Sequence, residues 1–157
     1  MEPMTMKKFA RKGCLLSLFL GALISAQQKA FDGSWQMDST QSHVLDGRVV
    51  ALTIATLDKG GIKMTIKSKK SDGQETTSEF TSMLDGKPCE LTEGDHKSKL
   101  TVWYNGPTLN ASKEGGPPSD ITAVWKFELG PNKTIKLTIN HYEPTADDET
   151  LVFTKKP

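Results

Sequence analysis

The sequence predicts an all-β domain: a single antiparallel up-and-down β-barrel of about 8–10 strands. Three observations carry this. Short runs rich in Val, Ile, Thr and aromatic residues recur along the chain, several with strict apolar–polar alternation. Turn signals separate them at regular spacing: Asp58-Lys59-Gly60-Gly61, Ser71-Asp72-Gly73, Asp85-Gly86, Gly94-Asp95 and Gly130-Pro131-Asn132-Lys133. No helical periodicity extends beyond two turns. Because nearly every link is short enough for a hairpin, the strands form a meander, and closure is the simplest way for such a sheet to hide its edges.

The first 26 of the 157 residues are read as a separate segment. Lys7, Lys8, Arg11 and Lys12 precede an apolar run from Gly13 to Ile24, and Ser25-Ala26 supplies small residues. This is the layout of a secretory signal peptide, with cleavage expected after Ala26. The apolar run falls short of the roughly 20 residues of a spanning helix. Cys14 lies inside it and not at the cleavage point, which disfavours a lipid anchor. The barrel domain is therefore residues 27–157, its expected location is periplasmic or secreted, and no stable membrane span is expected after cleavage.

Composition narrows the function. The whole chain has a formal net charge of +1, and losing the basic leader brings the domain to roughly −2. With no basic cluster in the domain, nucleic acid is not an expected partner. One cysteine remains, Cys89, so the fold relies on its core and not on a disulfide. A monomer is expected.

In chain order, Gly33 to Trp35 opens the first strand. Ser39-Thr40-Gln41-Ser42 is a polar break suited to a turn or a capped short helix. Val49 to Leu57 and the alternating Ile62-Lys63-Met64-Thr65-Ile66-Lys67 form a hairpin, with Ile62, Met64 and Ile66 on one face. Gln74 to Leu84 puts Ser78, Phe80, Ser82 and Leu84 on one face. Lys87 to Thr92 carries Pro88, which suits a strand end. Lys97 to Tyr104 turns Leu100, Val102 and Tyr104 inward and Trp103 outward. Asn105 to Asp120 reads as one long irregular connection, either a lid at the barrel mouth or a surface loop. Ile121 to Leu129 lines up Ile121, Ala123, Trp125, Phe127 and Leu129, with Val124 outward; Thr134 to Tyr142 answers with Ile135, Leu137, Ile139 and His141. The acidic run Asp147-Asp148-Glu149 reads as a solvated turn, and Glu149 to Lys155 closes the chain with Leu151 and Phe153 inward.

The opening Phe31-x-Gly33-x-Trp35 resembles the signature of the calycins, the lipocalin and fatty-acid-binding-protein group. More closely, the chain resembles small exported bacterial proteins classed as lipocalin-like, through Gly61-Ile62-Lys63-Met64-Thr65, Asp72-Gly73, Asp85-Gly86-Lys87 and the late Phe153. The resemblance implies a barrel closed at one end near Trp35, with Gly33 and Trp35 as a structural plug. Lipocalins often pack a late basic side chain across that tryptophan, a place open here to Lys155 or Lys156. Fatty-acid-binding proteins commonly hold a carboxylate with Arg-x-Tyr on the last strand. Here Leu151-Val152-Phe153 stands there, and Arg48 is the domain's one arginine, so that site does not carry over.

No catalytic or metal-binding pattern is present. His43, His96 and His141 lack ligand spacing, Cys89 has no partner cysteine, and there is no nucleophile elbow or phosphate loop. The chain is therefore expected not to be an enzyme, with no cofactor. If the apolar faces enclose an interior, Met64, Phe80, Tyr104, Trp125, Phe127, Leu137 and His141 line it as the candidate site for a small hydrophobic or amphipathic ligand, with Ser78, Ser82 and Thr56 among them. The same residues would equally make a packed core. The chain would then be an envelope interaction or inhibitor module that uses Trp103 and the Asn105–Asp120 stretch.

Overall fold

The computed structural model describes residues 28–115 and 120–157; the expected signal segment and its cleavage point lie outside them. Ten strands follow one another: β1 (Gly33–Met37), β2 (Val49–Thr56), β3 (Ile62–Lys69), β4 (Glu75–Ser82), β5 (Pro88–Glu93), β6 (His96–Asn105), β7 (Thr108–Glu114), β8 (Ile121–Gly130), β9 (Thr134–His141) and β10 (Glu149–Lys155). Each pairs antiparallel with its chain neighbours and β10 pairs with β1, closing the barrel. The up-and-down barrel expected from the turn spacing is the observed architecture.

Antiparallel succession sorts the connections. Those after β1, β3, β5, β7 and β9 gather at one end, the mouth. The others gather at the closed end with a helical turn at residues 28–31 and with the end of β10.

The stretch from Asn105 to Asp120 is a correction. Through Glu114 it is not one irregular connection: Gly106, with φ of +56°, turns the chain tightly and β7 pairs back along β6 from Thr108 to Glu114. Leu109 and Ala111 are fully buried. The strand escapes notice in the sequence because its inward positions are Leu109, Ala111 and Lys113. Two of those do not look apolar and large, so no alternation shows. Trp103, read as outward and free for a partner, is half-buried and faces Asn110 across the ladder.

The register stacks the inward side chains in cross-strand rows. One row runs Gly33, Ile54, Met64, Phe80, Leu91, Ser98. A second runs Tyr104, Leu109, Phe127, Leu137, Leu151. Both are apolar over most of their length and buried, and they fill the barrel with interlocking side chains.

Trp35 sits at the closed end, where β1 begins. Trp35 is 1 % exposed, and its indole Nε1 donates to the Phe31 carbonyl at 2.9 Å. Of the two candidate lysines it is Lys155 that crosses the ring, with Nζ 5.2 Å from the centroid and donating to the Asp32 carbonyl at 2.6 Å. Gly33 has φ of +130°, a conformation that calls for glycine, and the Lys155 side chain passes close over it. Phe31 covers the plug and lies 6.3 Å from the Tyr104 ring.

Trp35→Ala removes a filled volume and the hydrogen bond that holds the helical turn. Denaturant unfolding is expected to show a loss of about 3–5 kcal/mol. Lys155→Met, which keeps the aliphatic stem over the ring, is expected to lose no more than about 1 kcal/mol.

Candidate functional site

Toward the mouth the inward faces change character. The row Cys89, Leu100, Lys113, Ala123, His141 mixes polar and small side chains. Beside it, Val102, Ala111, Trp125, Ile139 and Glu149 form the next row. A cleft of about 940 Å³ lies at this end, lined by Cys89, Glu93, His96, Ser98 and Lys113, by the exposed Pro88, Glu90, Lys97 and Lys99 of β5 and β6, and by Glu114, Thr122 and Glu143.

Two ion-paired groups furnish this end. Lys113 Nζ reaches Glu93 Oε2 at 2.5 Å, each side chain about a quarter exposed (26 and 27 %). Glu149 is only 1 % exposed. Its Oε2 accepts from Arg48 Nη2 at 2.7 Å and contacts His141 Nε2 at 3.1 Å, while Oε1 accepts from the Leu45 backbone N–H at 2.9 Å. Arg48 also pairs with Asp46 at 2.7 Å. Burial alone would raise the Glu149 carboxyl. The hydrogen bonds from Arg48 and Leu45, the charge of Arg48 and the contact with His141 outweigh it and hold that carboxyl below the ordinary glutamate range. Glu149, read from the acidic run as solvated, is thus a buried anion; Asp147 and Asp148 are exposed as expected.

Most inward polar groups have protein partners. Thr56 Oγ1 donates to Asp32 Oδ1 at 2.7 Å, and Ser82 Oγ accepts from the Leu84 N–H at 3.1 Å. Two buried atoms do not: Ser98 Oγ, in the cleft lining, and Tyr104 OH, near the plug. Burial, followed by the charge of Asp32, pushes the Tyr104 phenol up to about 12, so it stays neutral. Burial likewise pushes the Cys89 thiol up, and Sγ donates to the Leu100 carbonyl at 3.2 Å, which fits a packing role.

The seven sequence-predicted lining residues do not converge on one space. Met64, Phe80, Phe127 and Leu137 are 0–3 % exposed inside the packed half. Tyr104 lies half-buried against Phe31. Trp125 and His141 stand in the rows that border the mouth, nearest the cleft. None of the seven lines the cleft itself. Sequence reasoning missed Glu93, Ser98, Lys113, Arg48 and Glu149. Counting by twos from buried Leu91 and Leu100 would have placed Glu93 and Ser98 inward. Among the described residues no group of three or more His, Cys, Asp or Glu side chains is placed to hold a metal, and no helix is long and apolar enough to cross a membrane.

Two crystal structures of point mutants of the fluorescent protein UnaG share this architecture. One aligns at a TM-score of 0.57 and 14 % identity over 81 % of this chain and 96 % of its own. The other aligns at 0.57 and 13 % over 82 % and 98 %. The fold is a calycin barrel of the fatty-acid-binding-protein type. No protein-family model matches the chain, and no curated protein matches it in sequence. At such identity the likeness concerns the backbone of the barrel, and the side chains at the mouth are this chain's own.

Arg48→Met leaves Glu149 buried without its strongest partner. Unfolding experiments at neutral pH are expected to show a loss of about 3 kcal/mol, and the double variant Arg48→Met/Glu149→Leu is expected to recover part of it. Because the folded Glu149 carboxyl is held low, its stabilising contribution is present above the unfolded value, about 4.3, and is lost as pH falls through the lower folded value. Glu149→Gln is expected to flatten the acid limb of stability measured against pH in that window.

Proposed function

We propose that this calycin barrel is an exported, monomeric binding protein, and not an enzyme, for a small amphipathic molecule held in the mouth half of the barrel. The observation that carries this reading is the 940 Å³ cleft at the mouth with its largely polar lining, Glu93, His96, Ser98 and Lys113 among it. Ala123, Trp125 and Ile139 are buried in the ladder rows beside Lys113 and are the apolar surface that a ligand tail entering from the cleft would meet. Lys113 and Ser98 offer donors to a polar head: Lys113 is held in place by Glu93, and Ser98 Oγ has no partner to give up. The packed lower half supports a ligand of limited length, which rests on the core instead of threading through it. Export to the periplasm or medium is supported by the basic, apolar and small-residue order of residues 1–26.

Native mass spectrometry of the purified protein, followed by titration with single-chain amphiphiles and displacement of a hydrophobic dye, tests the reading. Saturable one-to-one binding is expected. Ser98→Trp is expected to abolish it by filling the cleft, and Lys113→Ala to weaken it about 10-fold or more through loss of a charged hydrogen bond. The absence of saturable binding across the panel, or binding indifferent to both substitutions in variants of unchanged stability, would overturn the proposal.

A further inference from the structure

The barrel is sorted by charge along its axis. The mouth connections carry exposed Asp46, Asp72, Asp95, Asp120, Glu143, Asp147 and Asp148 against one exposed lysine among the described residues, Lys70. The closed end carries exposed Lys29, Lys59, Lys87, Lys133, Lys155 and Lys156. Asp58 and Asp85 stand beside Lys59 and Lys87, and Lys87 pairs with Asp85 at 3.2 Å. The other four lysines come from three separate elements: residues 28–31, the 3-10 turn Pro131–Lys133 after β8, and the end of β10. Among the described residues no carboxylate lies within 4.0 Å of any of the four. Three of them, Lys29, Lys133 and Lys155, line a depression of about 380 Å³ with Gly130 and Leu129 and with Trp35 beneath, and Lys156 follows Lys155 in the chain. Leu129 is 39 % exposed there and Ala30 is exposed beside it, so the lysines ring an apolar centre.

We infer that this closed end docks on a bilayer bearing anionic phospholipids. Lys29, Lys133, Lys155 and Lys156 meet the lipid phosphates, and Leu129 enters the headgroup layer. The charge pattern selects the orientation, because the acidic mouth is repelled by the surface that attracts the opposite end. The apolar centre favours a lipid over a nucleic acid, since the patch presents no exposed aromatic ring for stacking on bases. Each lysine near an anionic surface multiplies partitioning about fivefold, and the effect is screened by salt. Docked in this way, the mouth faces the aqueous phase and remains accessible.

The test is co-sedimentation of the protein, as purified from secreting cells, with phosphatidylcholine vesicles with and without phosphatidylglycerol, at low and at physiological salt. Binding is expected only when phosphatidylglycerol is present and is expected to fall with salt. Lys133→Glu/Lys156→Glu should reduce it at least about 25-fold, twice the single-lysine factor on a logarithmic scale. Leu129→Ser should weaken it with all lysines intact, and Lys70→Glu at the mouth should leave it unchanged. All four substituted side chains are exposed, and equal unfolding midpoints establish that the variants are folded. Three outcomes overturn the inference: no dependence on the anionic lipid, equal loss from Lys70→Glu, or competition by an oligonucleotide together with indifference to Leu129→Ser, which would assign the patch to nucleic acid.

Discussion

Closing the sheet is the constraint on which the rest of the molecule depends. The ladder between β1 and β10 has only three register pairs, Trp35 with Lys155, Gln36 with Thr154 and Met37 with Phe153. Contacts outside the ladder reinforce that seam. The Asp38 N–H donates to the Val152 carbonyl at 2.8 Å, the Lys156 N–H to the Ser34 carbonyl at 2.8 Å, and His43 and Thr150 exchange a pair of backbone bonds. At the closed end Trp35, Phe31 and Lys155 join both strands through side chains. Side-chain direction has a period of two, so a one-residue slip at this seam would turn every buried face of a strand to water. The short ladder therefore carries the register of the whole barrel.

From that closure follow two interiors of different chemistry. The half nearer the plug is packed with large apolar side chains and leaves little to bind. The half nearer the mouth has small residues in the ladder rows and charges at their ends. Burying Glu149 is tolerable because Arg48, His141 and the Leu45 N–H surround it. Lys113 and Glu93 neutralise each other in the same way on the opposite wall. The mouth is thus polar without carrying a large uncompensated charge, and its one orphaned hydroxyl in the cleft lining, Ser98 Oγ, marks where another polar partner would fit.

Much of the fold was legible because local and global signals agree. The Ile62–Lys67 run alternates strictly, Asp-Gly and Gly-Pro turns punctuate the chain, and Ala123, Trp125 and Phe127 display the buried face of β8 openly, while Ile121 and Leu129 at its ends are exposed. Legibility failed where an inward position is filled by a small or charged residue. β7 hides behind Ala111 and Lys113, whose burial is set by the neighbours β6 and β8 and not by their own hydrophobicity. The mouth network failed for another reason: Arg48 and Glu149 lie 101 residues apart and meet only because the last strand comes back beside the first. No local pattern announces such a pair, and the acidic neighbours Asp147 and Asp148 disguise Glu149 as part of a solvated run. The plug was legible through its signature residues, which also singled out Lys155 as one of two candidates for the tryptophan face.

The seam also sets an order of events during synthesis. The first strand's second neighbour is the tenth strand in chain order, so the barrel cannot close until β10 has been made. Until β10 is made, the inward apolar faces have no enclosed interior to pack against. The other ladders join strands consecutive in the chain and can form as it emerges, so closure at the β1–β10 seam is the one pairing of distant strands that waits for the final strand.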